Sequence, residues 1–171
     1  MNPRHSRNTG FSLIEVVIAI GVVAYVIFGV MGLLPAGMRT FSNANQQSAA
    51  ANLLNSLSES IRSAGTVDGT NYVWMFNGQS CGYAIGGPQV TNRWNALTLQ
   101  GEGAANSIDA RLCAVVVVTP PASLYGEGSA VLGVAWPPSA NPVWNGSTLQ
   151  WSRVEGSSTM PIRFLPRLPR P

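Results

Sequence analysis

The sequence predicts an α+β protein in which a long N-terminal helix is followed by an antiparallel β-sheet. An uncharged apolar run extends from Val16 to Leu34. Farther along, apolar residues recur at helical spacing as far as Ile61. Beyond Gly65, short apolar and aromatic segments alternate with turn signals rich in Gly, Pro and Asn. We therefore expect the first half of the helix to cross a membrane and its second half to pack on the sheet.

Residues 11–34 predict a transmembrane helix, because the apolar run together with Phe11–Ile14 reaches bilayer length. The alternative is a plain signal peptide or a single-pass anchor, although Leu34–Met38 fits a signal-peptide cleavage site poorly. Arg4 and Arg7 precede the apolar run, so the positive-inside rule places them in the cytoplasm and the C-terminal domain outside.

Residues 35–64 predict an amphipathic helix. Pro35 should kink or locally open the helix, because it lacks an N–H donor and clashes with the preceding turn. The alanine-rich stretch Ser48–Asn52 favours helix, and Gly65 is a natural stop. We expect the apolar stripe to pack on the chain's own sheet, the alternative being contacts made wholly with other molecules. The stripe consists of Met38, Phe41, Leu53, Leu54, Leu57 and Ile61.

Residues 65–165 predict a β-rich globular domain built as an antiparallel meander. The strongest strand is Arg111–Thr119, whose four consecutive valines indicate a central position buried on both faces. The Pro- and Arg-rich tail, residues 166–171, cannot continue a sheet and is expected to be a disordered end or an extended polyproline arm. The other strand candidates are Tyr72–Phe76, Cys81–Ile85, Ala96–Leu99, Ala130–Trp136, Thr148–Val154 and Pro161–Leu165.

The charged residues argue against an enzyme or a nucleic-acid-binding protein. The formal net charge is +3 and only 10% of residues are charged, with no basic cluster outside the termini. The single histidine is His5, so the rest of the chain cannot form a His-dependent triad or a histidine-ligated metal site. Glu102 and Asp109 match no metal-loop motif, and we expect them to be exposed loop carboxylates. No cofactor and no metal are predicted.

Two cysteines, Cys81 and Cys113, lie in the part of the chain expected to be exported. An oxidising compartment favours a disulfide between them. The alternative is a pair of independent buried thiols, because Cys113 opens a very apolar strand.

The five tryptophans are many for so short a domain. We expect most of them to fill the core, the alternative being a face that binds carbohydrate or a surface. Trp94 and Trp144 are expected in loops rich in Asn and Pro and are the candidates for ligand contact.

The segment Gly10-Phe11-Ser12-Leu13-Ile14-Glu15-Val16-Val17 places one carboxylate, Glu15, at the start of the apolar run. A charge in such a segment costs about 2.5 kcal/mol or far more, so it needs a partner or a role. This arrangement resembles the class III signal of type IV pilins and of type II secretion pseudopilins. The resemblance implies a pilin-like fold, a leader peptide at residues 1–10, cleavage after Gly10 and N-methylation of Phe11. It also implies an assembly role for Glu15, which would meet the N-terminal amine of the preceding subunit.

The resemblance implies a structural subunit, either a minor pilin or a pseudopilin, of a type IV pilus-like or type II secretion fibre. Its expected partners are the inner membrane, a prepilin peptidase/N-methyltransferase and other subunits of a helical filament. We expect a single-pass inner-membrane protein that is fibre-associated after assembly. The alternatives are a major pilin and a membrane-anchored extracytoplasmic binding module. The segment Gly32–Met38 is also similar to pilin-like cassette proteins of Verrucomicrobia-type bacteria, which implies no defined function.

Overall fold

The computed structural model describes residues 11–167 and contains one helix and nine strands within them. Two compact units divide the chain, Met1–Ser42 and Asn43–Pro171. The elements are α1 (Leu13–Arg62), β1 (Gly65–Thr66), β2 (Asn71–Phe76), β3 (Gln79–Ala84), β4 (Val90–Leu97), β5 (Leu112–Thr119), β6 (Gly128–Trp136), β7 (Asn141–Trp144), β8 (Leu149–Ser152) and β9 (Gly156–Phe164). The chain is therefore α+β, a long helix followed by antiparallel sheets, as the sequence predicts.

Helix α1 continues through Pro35, so the expected local opening at this residue is not found. A proline removes a single N–H donor from the helix, and the turns on either side keep theirs. One turn later, the Thr40 hydroxyl donates a hydrogen bond of 3.0 Å to the Ala36 carbonyl. The helix ends at Arg62, whose positive charge lies in the last turn, where it is favoured by the helix dipole.

The part of α1 that belongs to the second unit buries one of its faces in the core of that unit. Leu53, Leu54, Leu57 and Ile61 are all buried together with residues of the sheets, which confirms the predicted packing for this part of the stripe. The prediction is wrong for the two residues nearest the apolar run, which belong to the first unit. Met38 is 68% exposed and Phe41 is 77% exposed.

The strands form three antiparallel groups. One sheet has the order β1-β2-β3, a second has the order β4-β5-β6-β9, and β7 and β8 form a separate hairpin. The hairpin lies in sequence between β6 and β9, which are themselves paired. The arrangement is therefore a meander interrupted by an inserted hairpin, instead of the simple meander expected.

Strand β5 occupies an inner position of its sheet and is buried on both faces, as its run of valines predicts. Val116 and Val118 point into the main core. Cys113 belongs to a separate buried cluster with Ala135, against which Trp151 of the hairpin packs. The hairpin therefore covers the face of this sheet that is turned away from the main core.

The chain after β9 keeps contact with the core as far as Arg167. The alternation of buried and exposed residues continues beyond β9, so that Pro166 is buried like Ile162 and Phe164. The Tyr72 hydroxyl donates a hydrogen bond of 3.0 Å to the Arg167 carbonyl oxygen. The rest of the predicted tail, residues 168–171, lies outside the described residues.

Candidate functional site

Glu15 lies in the first turn of α1, where it caps the helix. The Ser12 carbonyl accepts the backbone N–H groups of Glu15 at 3.0 Å and of Val16 at 3.3 Å. In return, the backbone N–H of Ser12 donates to Glu15 Oε2 at 3.4 Å. This is the carboxylate half of a capping box, in which an acidic residue three positions after the N-cap reaches back to it. The sequence signal Ser12-x-x-Glu15 could have revealed this structural role in advance.

The Glu15 carboxylate is also well placed for an intermolecular contact. Its side chain is exposed, and the positive end of the helix dipole favours a negative charge at this position. The bond to Ser12 is long and occupies only one of the two carboxylate oxygens. The remaining lone pairs are free to accept hydrogen bonds from another molecule.

The helix that carries Glu15 presents an apolar surface without a partner in the described chain. No residue from Phe11 to Ser42 is buried, and large apolar side chains are exposed along this whole segment. By length and composition the helix is able to cross a membrane. The first unit therefore offers a surface that must be covered by lipid or by protein, since water solvates it poorly.

One face of this segment carries a shallow, largely open depression around Gly37. The absence of a side chain at Gly37 leaves space between its larger neighbours on the same face. The depression is lined by Val30, Leu33, Leu34, Gly37, Met38 and Phe41.

The predicted processing site lies at the edge of the described chain. Gly10 falls outside the described residues. Phe11 is the first of them; it precedes the helix and is 86% exposed. Cleavage after Gly10 and methylation of Phe11 therefore stay predictions.

No family model, no curated protein and no solved structure matches this chain.

The two cysteines do not form the disulfide that the sequence favoured. Both thiols are free and buried, Cys81 in the main core and Cys113 in the smaller cluster. Burial raises the pKa of both thiols, which keeps them protonated and unreactive near neutral pH. The structure thus agrees with the alternative of two independent buried thiols.

The tryptophans mostly fill the interior. Trp74, Trp94 and Trp136 are buried in the main core, and Trp94 makes an edge-on contact with Phe76 at a centroid distance of 4.9 Å. Trp94 lies in β4 and Trp144 in β7, so the prediction that both lie in loops is wrong. Because its ring is buried, Trp94 is not available for ligand contact, whereas Trp144 is half-buried.

The loop carboxylates Glu102 and Asp109 are both exposed, as expected. Within residues 11–167 no group of three or more His, Cys, Asp or Glu side chains is arranged to hold a metal ion. Hydrogen bonds from Asn71 and Thr70 stabilise the charged form of Asp68 and lower its pKa. These bonds close a local turn before β2, so the role of Asp68 is to stabilise that turn.

A groove with both polar and apolar walls lies in the second unit. It measures about 480 Å³ and lies between α1 and the loop after β4. Its polar walls include Asn52, Ser56 and Gln100, and its apolar walls include Leu53 and Phe76. None of its lining residues is charged.

Proposed function

We propose that this chain is a structural subunit, either a minor pilin or a pseudopilin, of a type IV pilus-like or type II secretion fibre. The proposal is carried by one observation, the exposed Glu15 in the first turn of a helix that is unburied from Val16 to Ser42 and is uncharged and apolar from Val16 to Leu34. A soluble domain has no use for such a segment. A simple anchor, in turn, has no need of a carboxylate within it.

In this proposal the helix has two environments in succession. Before assembly, residues 11–34 lie in the inner membrane with the C-terminal domain on the outer side. A prepilin peptidase cuts after Gly10 and methylates the new N-terminal Phe11. The subunit then leaves the lipid, and its apolar surface packs against the helices of other subunits in a helical filament.

Glu15 lowers the cost of that transfer. A single buried charge is strongly unfavourable, but the carboxylate of an entering subunit can pair with the N-terminal amine of the subunit before it. Attraction between the two charges is large in apolar surroundings and offsets part of the desolvation of each. The pairing would also fix the register between neighbours.

A second function, that of a membrane-anchored extracytoplasmic binding module, is favoured by the neutral groove beside Asn52 and Gln100. The two functions differ in where the protein is found after cells are sheared. A fibre subunit is released with the filaments, whereas an anchored module stays in the membrane fraction. Among fibre subunits, a high copy number relative to other pilin-like proteins would indicate a major pilin, and a low one a minor pilin or pseudopilin.

The proposal is tested by the intact mass and the N-terminal residue of the protein, recovered after co-expression with a prepilin peptidase. We expect loss of residues 1–10 and a methylated Phe11. An uncut Met1 would argue for an anchored module, and cleavage after Leu34 would indicate a secreted domain without the assembly helix. Either of these results would refute the proposed role.

A further inference from the structure

The first unit carries two charged side chains in its described part, Glu15 near the start of the helix and Arg39 near the end of the unit. Both are exposed, and neither takes part in the salt bridge found within residues 11–167, which joins Arg163 and Glu127. They are separated by about 36 Å at 1.5 Å per helical residue. Glu15 and Arg39 of the same helix therefore cannot meet.

Their separation is close to the thickness of a membrane. The hydrocarbon core of a bilayer measures about 30 Å, so a spanning helix can keep Glu15 at one interface and Arg39 at the other. Two copies at the same depth bring like charges together at each interface. A copy displaced outward by roughly one bilayer thickness instead brings its Glu15 to the level of Arg39 in a copy that has not moved.

The helix face of Arg39 has room for a second helix. Gly32 and Ala36 lie two turns and one turn before Arg39 and share its face. Nothing lies within 4 Å of the position that a side chain on Gly32 would take. Small residues at this spacing allow helix backbones to approach closely in apolar surroundings. On the other helix, Ile18 follows Glu15 by one turn and offers an apolar flank for the contact.

The opposite charges of Glu15 and Arg39 and the small residues beside Arg39 both favour a contact between Glu15 of one copy and Arg39 of another. Once a helix leaves the membrane interface for a bundle, an unpaired Glu15 or Arg39 would lose its hydration without compensation. We propose that Glu15 of one copy pairs with Arg39 of a second copy of this chain, with the helices parallel and staggered by about 36 Å. The pair rests on the proposed fibre function. The carboxylate has enough lone pairs to accept from Arg39 of one neighbour and from the N-terminal amine of another.

The charge requirement is tested with three variants of the full chain in cells that assemble the fibre. Arg39→Gln should lower the fraction of protein released with sheared fibres by about tenfold, while processing and the amount in the membrane stay unchanged. Arg39→Lys should retain most of the incorporation, because it keeps the charge. The matched control is Arg62→Gln, which removes the exposed arginine at the end of the same helix and should behave like the wild type.

The stagger is tested by disulfide cross-linking within the fibre. Ile18 and Ser42 each lie one turn after Glu15 and Arg39, so the double variant Ile18→Cys/Ser42→Cys should cross-link neighbouring copies under mild oxidation. Cys81 and Cys113 are buried and should not interfere. The control pair is Ile18→Cys/Phe28→Cys, which uses the same helix faces at a different level and should not cross-link.

The outcomes separate the inference from the function on which it rests. If Arg39→Gln enters fibres as well as Arg62→Gln, or if the control pair cross-links in place of the Ser42 pair, the proposed pairing is wrong although the protein is a fibre subunit. If the wild-type protein is never found in fibres, the proposed function itself fails.

Discussion

The Tyr72 hydroxyl donates a hydrogen bond of 3.0 Å to the backbone carbonyl oxygen of Arg167. Tyr72 is fully buried and belongs to β2, so this bond ties the end of the described chain to the first sheet. Its ring also stacks on Tyr83 at a centroid distance of 5.3 Å. The bond thus joins the C-terminal segment to an aromatic cluster in the core.

Tyr72→Phe should loosen the C-terminal segment while keeping the stacked ring. We expect a loss of about 1 kcal/mol in the free energy of unfolding, the usual net worth of one hydrogen bond. The carbonyl concerned belongs to the peptide bond that trypsin cuts after Arg167, so cleavage there should become faster. Mass spectrometry of a limited digest measures this directly.

The matched control for this substitution is Tyr125→Phe, because the Tyr125 side chain is 82% exposed. It should change neither the stability nor the rate of cleavage after Arg167. Equal cleavage rates in Tyr72→Phe and the wild type would show that the hydrogen bond does not hold the segment.

Gly133→Ala should separate the β7–β8 hairpin from the sheet beneath it. A methyl group on Gly133 would overlap the Leu149 side chain and lie 2.8 Å from the Trp151 ring. Such overpacking costs about 1–3 kcal/mol, and we expect both a lower melting temperature and a changed tryptophan fluorescence. Gly65→Ala is the control, because nothing lies within 4 Å of the added atom. A normal melting temperature for Gly133→Ala would mean that the hairpin does not pack there.

The sequence predicted those parts of the fold in which a residue's neighbours along the chain decide its environment. The valines of β5 required burial on both faces, and the spacing of Leu53, Leu57 and Ile61 required a helix with one buried side. Periodicity does not say which surface covers an apolar stripe, however. Met38 and Phe41 fit the same pattern and yet are exposed.

The start of β4 and the position of Trp94 were predicted wrongly because a pattern of apolar residues does not reveal every strand. Strand β4 begins at Val90, earlier than expected. Only Trp94 and Leu97 of its residues are buried and few of the others are apolar, so apolar patterning does not mark where the strand starts. Trp94 looked like a loop residue for the same reason. The candidate site was predictable at Glu15, since a carboxylate beside an apolar run is costly wherever it lies. Its contact with Ser12 depended on the helix starting at Leu13, a boundary that apolarity alone does not mark.

The stability of the protein should fall in alkaline solution. Burial raises the pKa of Cys81, Cys113 and Tyr83, with the neighbouring Tyr72 adding to the effect on Tyr83. A raised pKa in the folded state means that the folded chain holds protons that the unfolded chain releases. Stability is therefore complete below the unfolded thiol pKa, about 8.5, and decreases as the pH rises above it.

Urea unfolding at a series of pH values from about 7 to about 10, a range that brackets the unfolded thiol pKa, measures this decrease. The double variant Cys81→Ala/Cys113→Ala should show a shallower decrease in stability with pH.

A thiol titration independently checks that the two cysteines are free. The native protein should react slowly with a thiol reagent, and the denatured protein should show two thiols without any reductant, in keeping with the two free cysteines. Absence of reactive thiols after denaturation would reveal a disulfide instead.

Glu15→Val should be processed normally and yet enter fibres poorly, because it leaves the N-terminal amine of the neighbouring subunit without a counter-charge. The same substitution also removes the contact with Ser12 that caps the helix, so loss of the cap is a competing explanation. Glu15→Gln separates the two effects, since its amide oxygen can still accept the Ser12 hydrogen bond but carries no charge. If the charge matters, both variants should be depleted from sheared fibres by about tenfold or more.

Exclusion of the Glu15→Gln variant from fibres, with its helix cap intact, would assign the effect to the charge. Normal incorporation of Glu15→Gln would assign it to the cap and would contradict the role proposed for the carboxylate. Glu59→Gln is the matched control, because Glu59 is an exposed residue of the same helix on the second unit. It should leave processing and incorporation unchanged, since its charge stays in water in either environment of the subunit.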